Sequence, residues 1–407
     1  MTAQPTSSLL NLLVQQLQAA AAHDDDVRTH NASGEIIQVP GTGKRISTAY
    51  EQLRNAAEYT EEHLLLQRAI KRFYKRSFSF TARAMHGIGE ELIVELTQAG
   101  YLRDGLFSKH TAHNISNLSQ TYAQTFSRLR DAGVSGKDAS EWIFQLLSVE
   151  IEGILNPHTH HNALSYAAYQ HFLEIFPKET LITSVKDEVS YELSLYIAVH
   201  QALLKSDISI VRLDLMRMYQ QSTEDIAAFI EFNRSVDTLY TSQLTGRLRR
   251  AVNKYGAPLR ILKSMTEGHP RLPELLADRD AFLDAYDQQI STEYKLVKNR
   301  LTKGIVKSII FIFITKVIIG VGIEVPYDIL VIGEIALIPL IINLLFPPLY
   351  MASLRLGLKI PTQANAFALR DYIDKILYTH ESLAIPPLRD AGRSVPFIYK
   401  LLYGVLF

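Results

Sequence analysis

Two apolar runs near the C-terminal end, residues 305–323 and 329–351, limit what this chain can fold into more than any other feature. Each approaches the ~20 apolar residues a helix needs to cross a ~30 Å hydrocarbon layer. Only Glu324, Val325, Pro326, Tyr327 and Asp328 lie between them, a connection short enough for an antiparallel pair. The sequence therefore predicts a transmembrane helical hairpin over 301–360, with Glu324, Pro326 and Asp328 at its tip. That makes the chain an integral membrane protein. A re-entrant pair fits the same pattern, because Pro339, Pro347 and Pro348 would bend or end the second helix. A buried hairpin in a soluble core is the competing explanation, but two adjacent runs of this length seldom occur there.

Charge predicts the orientation. Lys295, Lys298, Arg300, Lys303 and Lys307 lead into the first run with no acid among them, and Arg355 and Lys359 follow the second. The tip carries two acids and no base. Positive flanks stay on the cytoplasmic side. This predicts a multi-pass anchor in the cell membrane with the large N-terminal region in the cytoplasm. The same bases would each gain about 1 kcal/mol beside an anionic leaflet.

Three polar residues interrupt the hairpin: Lys316, Glu334 and Asn343. A lone charge at the bilayer centre costs a few kcal/mol. Counted from Pro326, Lys316 is ten residues back and Glu334 eight forward, so their depths differ by about 3 Å. The spacing predicts an ion pair across the hairpin. The alternative role, lining an ion or proton path, requires an oligomer, because two helices enclose no pore.

The remainder reads as all-α. Residues 1–45 predict an amphipathic segment (Leu9, Leu10, Leu12, Leu13, Val14) and then a linker carrying Asp24, Asp25, Asp26, Gly34, Pro40, Gly41 and Gly43. No positive charge precedes the apolar cluster, so it does not resemble a signal peptide. From 46 to 300 apolar residues recur at helical spacing, as at Leu118, Tyr122, Phe126 and Leu129, without sustained alternation of the strand kind. Ser135/Asp138, Ser184/Asp187 and Ser222/Asp225 have the spacing of helix-start capping boxes. Residues 361–407 form an amphipathic and then apolar tail. It reads as an interfacial anchor or as the cut end of a longer membrane protein.

Composition excludes some chemistry and supplies none. With no cysteine there is no disulfide, thiol nucleophile or Cys-based zinc site. Forty-two bases balance 42 acids, so no net charge draws the chain to nucleic acid, and no nucleic-acid partner or cofactor is expected. His158, His160 and His161, with Glu150 or Glu152, offer metal-binding groups, but their spacing matches no metal-binding helix and follows Asn156-Pro157. A solvated loop is the reading their position favours. Val39–Arg45 lacks the first glycine and the hydroxyl residue of a phosphate loop. His200 sits among apolar neighbours as a core histidine does. Arg68, Lys71, Arg72, Lys75 and Arg76 form a basic stripe around Phe73 and Tyr74, and a second set runs from Arg247 to Lys263. Both fit a solvated face, anionic headgroups or an acidic partner. With no catalytic constellation, the sequence predicts a membrane-anchored scaffold or interaction protein, working with protein partners or as a homo-oligomer. A subunit of an oligomeric transporter or channel is the alternative.

Overall fold

The computed structural model describes residues 8–31, 34–39, 48, 51, 64–77, 87–156, 159–176, 188–269, 271–333, 335, 337–357 and 362–379. These residues are helical almost throughout and contain no strand; the single β-bridge pairs Ile36 with Ser108. The chain divides into two compact units, Met1–Pro273 with Lys375–Phe407, and Glu274–Asp374. The division falls well before residue 300, where the sequence placed the end of the helical region.

The first unit contains α1 (Ser8–Asn31), α2 (Leu65–Ser77), α3 (Ile88–Gln98), α4 (Lys109–Asp131), α5 (Gly136–Leu155) and α6 (Thr159–Ile175). It continues with α7 (Glu188–Val199), α8 (Ile208–Met218), α9 (Ile226–Tyr240), α10 (Gln243–Tyr255) and α11 (Ala257–Gly268); α12 (Leu272–Ala277) lies at the boundary. The N-terminal helix extends further than the sequence suggests, into the stretch read as linker. α1 runs through Asp24, Asp25 and Asp26, and it packs on α6 with Leu10, Leu13, Leu17 and Ala20 buried. Asn31 at its end donates to the Ile154 carbonyl at 2.6 Å and accepts from the Thr111 hydroxyl at 3.1 Å. Two bonds to distant helices hold this end of α1 where the sequence suggested a loop.

The periodic residues of α4 behave as their spacing predicts: Tyr122 and Leu129 are buried, and Leu118 and Phe126 pack against the same core. That core joins α2, α3, α4 and α5 to Leu213, Met216 and Phe229. Two of the capping motifs lie among the described residues. Ser135 accepts from the Asp138 N–H at 3.1 Å and donates to its carboxylate at 2.7 Å. In the other, Asp225 itself is the cap, accepting from the Ala228 N–H at 3.0 Å, while Ser222 accepts only from Glu224. The Ser184/Asp187 motif lies outside the described residues.

Arg212 is the largest fully buried side chain. Burial lowers its pKa, a tendency that Asp237 opposes. It donates to Gln145 Oε1 at 2.8 Å, to Asn233 Oδ1 at 2.6 Å and to Asp237, which also accepts the Trp142 indole N–H at 2.8 Å. Charge-assisted bonds on every face offset the desolvation of the guanidinium, and they tie α5, α8 and α9 together.

Gly89 lets α3 approach α4. A Cβ there would collide with the Ala112 carbonyl, and the glycine's own N–H bonds Ser116 Oγ at 3.0 Å. Gly89→Ala is expected to destabilise the protein by about 1–3 kcal/mol, because backbone cannot yield as a side chain can. Denaturant unfolding of the full chain measures it.

Candidate functional site

The second unit is a long helical hairpin. α13 runs Arg279–Ile319 and stays helical through two π-turns, Gly320–Glu324 and Asp328–Ile332, with Pro326 between them. The predicted tip is therefore inside the helix. Chain reversal begins at Gly333, in the left-handed region at φ +86° with its N–H on the Asp328 carbonyl at 2.9 Å. Wide π-turns accommodate a proline ring, whereas a left-handed glycine ends a helix. The return leg is α14 (Leu337–Gly357) and then α15 (Gln363–Asp374). Pro347 and Pro348 lie within α14 and do not end it.

The two legs share one register. At the base Arg279 grips Asp374 at 2.7–2.8 Å and Arg370 pairs with Asp287; higher up, Asn365 donates to Tyr294 at 2.6 Å. Twenty-two residues further along each leg, Lys316 Nζ donates to Asn343 Oδ1 at 3.0 Å. Asn343 donates in turn to Glu324, two helical turns above Lys316 on its own helix. One carboxamide thus bridges a cation and a carboxylate whose charges cancel. Gly320 lies between them, and a Cβ there would stand 3.2 Å from Leu340 Cδ1.

Glu334, the predicted partner of Lys316, lies outside the described residues. Among the described residues Lys316 has Asn343 as its partner, on a return leg that begins at Gly333 rather than at Pro326. Glu324 had been assigned to the tip rather than to this triad. Locating the left-handed glycine first would have found it.

Around the triad the hairpin surface is apolar and open. Phe311 is 69% exposed, Leu330 85% and Ile338 73%, with many aliphatic neighbours alike. Among the described residues one helix, Arg279–Val331, is long and apolar enough to cross a membrane; Leu337–Tyr350 is shorter. Ile338, Pro339, Ile342, Asn343, Phe346 and Pro347 line a shallow open depression of about 510 Å³.

The basic groups separate into two kinds. Most of the α2 stripe is engaged: Lys71 and Lys75 with Glu141 at 2.6 and 3.5 Å, Arg72 with Glu51 at 2.7 Å, and Arg76 with Glu95. Burial opposes ionisation of Glu141, but the Lys71 hydrogen bond and charge, helped by Gln145 and Lys75, hold its pKa down to about 2. Arg68 also has a partner. From the second set, Arg260 donates to the Asn253 carbonyl at 2.6 Å and Lys254 lies over the Tyr255 ring at 4.9 Å. Lys295, Lys298, Arg300, Lys303 and Lys307 are exposed on α13, and none forms an ion pair among the described residues.

No metal centre emerges among the described residues. His158 lies outside them, and the backbone at His160 and His161 is the first turn of α6 rather than a loop. His200 is in the core, as its neighbours suggested, but the sequence did not reveal its company. It opens a π-turn, His200–Leu204, that brings Ser206 Oγ to 3.2 Å from Nδ1 and Asp214 Oδ2 to 3.8 Å from Nε2. The order resembles a hydrolase triad, yet His200 is fully buried and Ser206 and Asp214 are each 8% exposed, so no nucleophile faces solvent. Burial raises the Asp214 pKa to about 7, against a nearby Arg217. Burial, aided by Asp207, raises Glu152 to about 8, opposed by a backbone hydrogen bond from Gln67.

Comparison with known protein families, curated proteins and solved structures gives no match.

Two outcomes follow from these geometries. Asp214 and Glu152 keep their protons in the folded state to about pH 7 and 8, whereas an unfolded carboxyl loses its proton near ~4. The folded state binds more protons between those limits, so this contribution to stability is lost as pH rises from about 4 and is gone above about 8. Asp214→Asn with Glu152→Gln should flatten that fall, leaving Tm roughly 2–4 °C above the native chain at pH 9 and not at pH 5. Asn343→Leu removes both bridge bonds at once. SDS-titrated unfolding should show a loss of about 1–2 kcal/mol, recovered when Lys316→Leu and Glu324→Leu are added.

Proposed function

We propose that this protein is a membrane-anchored helical scaffold, whose second unit inserts in the bilayer as a hairpin and whose first unit presents surfaces to protein partners. The observation that carries the proposal is the exposure of many large apolar side chains between Val306 and Tyr350, on both legs of the hairpin, among the described residues. Soluble proteins rarely leave so large a contiguous patch in water. In hydrocarbon the same surface is the favoured one, and helical legs leave few backbone groups unsatisfied.

The dimensions favour a full span over a re-entrant dip. From Lys307 to Asp328 α13 advances 21 residues, about 30 Å at helical rise and the thickness of the hydrocarbon core. Lys316 then lies near mid-depth, where its bridge to Asn343 and Glu324 keeps a neutralised set within the hairpin. That internal saturation favours a staple between the legs over a conducting path. Bases at the open end and acids toward the tip favour a cytoplasmic first unit and an outward tip.

The chain has no cysteine, so single-cysteine labelling is free of background. Leu330→Cys should react with an impermeant maleimide on intact cells, and Asn299→Cys only after permeabilisation. Labelling of both positions from the same side would make the hairpin re-entrant. Release of the chain by alkaline carbonate would end the membrane assignment.

A further inference from the structure

We infer that Lys295, Lys298, Arg300, Lys303 and Lys307 form a collar that binds the headgroups of anionic phospholipids and sets the depth of the hairpin. The inference rests on the membrane anchoring proposed above. The two basic clusters nearest an aromatic or apolar surface looked alike in sequence, but only one remains open. On α2, Lys71, Arg72, Lys75 and Arg76 are ion-paired with Glu51, Glu95 and Glu141. On α13 the acids that could reach the collar are engaged below it: Asp287 with Arg370 and Asp374 with Arg279. The next acid, Glu293, accepts from Gln289 at 3.1 Å, one turn down.

Position adds a second argument. The collar ends where the apolar surface begins: Lys307 is followed by Ile310, Phe311, Phe313 and Ile314, all exposed. At 100° per residue the five bases spread around more than half of the helix, so several face lipid whichever way the hairpin turns. The shared register set by Lys316 and Asn343 brings the backbone of Arg355, on α14, level with the stretch between Lys303 and Lys307. The bases nearest the apolar surface, Lys303 and Lys307, therefore share a level with the backbone of Arg355, about 14–20 Å below Lys316. A bilayer presents its phosphates in such a plane. Nucleic acid would meet the same charges, but it would leave the adjoining apolar surface uncovered.

The test uses the purified full chain reconstituted in phosphatidylcholine vesicles, with trace spin-labelled phosphatidylserine or phosphatidylcholine read by electron paramagnetic resonance. The native chain should immobilise the phosphatidylserine probe about fivefold more favourably than the neutral one, and 0.5 M salt should reduce the ratio. Combining Lys295→Gln, Lys298→Gln, Arg300→Gln, Lys303→Gln and Lys307→Gln should bring it to about one. The corresponding Lys→Arg changes should preserve it. An equal preference for both probes in the native chain, or a preference unchanged in the Gln variant, overturns the collar while leaving the anchor intact. Immobilisation of neither probe means that the hairpin is not in lipid, and both proposals fall together.

Discussion

The hairpin depends on how Lys316 is satisfied. A cation on an otherwise apolar rod needs a partner that arrives with the rod, and Asn343 on the return leg supplies it while also holding Glu324. This fixes the register of α13 against α14. The same register is continued at the base by polar pairs, Tyr294 with Asn365, Asp287 with Arg370 and Arg279 with Asp374. The unit is thus bonded by water-compatible ion pairs below and by one bridged, neutral triad above. A slip of even one residue would separate both sets.

The first unit solves the opposite problem. Most of its described apolar side chains are covered, and its difficulty is the polar groups covered with them. Arg212 is held by Gln145, Asn233 and Asp237, a set no single helix could provide. Asp214 and Glu152 respond differently: burial outweighs their nearby partners, and they keep their protons near neutral pH. Buried polar groups bonded in this way add geometric specificity more than net energy.

Much of this architecture was legible in the residues. The hydrophobic period of α4, the Ser135 cap and the absence of strand patterning all act within a few residues, and local physics settles them. Errors arose where one residue had two local meanings. Pro326 carries the local signature of a helix end, but flanking π-turns absorb it and Gly333 makes the break. Three aspartates suggested a loop, but the apolar face of α1 and the two bonds of Asn31 keep that stretch helical. The basic stripe of α2 resembled the collar of α13 because the acids that neutralise it are distant in sequence.

What the sequence determined by itself is the class of the chain: all-helical, with an apolar C-terminal segment flanked by bases and no residues arranged for thiol or Cys-metal chemistry. Period, composition and charge are properties of neighbours along the chain, so they survive without coordinates. The tertiary structure decided which polar groups meet: Lys316 with Asn343 and Glu324, Arg212 with Asp237, and His200 with Ser206 and Asp214. Such meetings depend on where helices end and how they cross. The turn lies seven residues beyond Pro326, at Gly333, a position set by backbone geometry that no local pattern around Pro326 reveals.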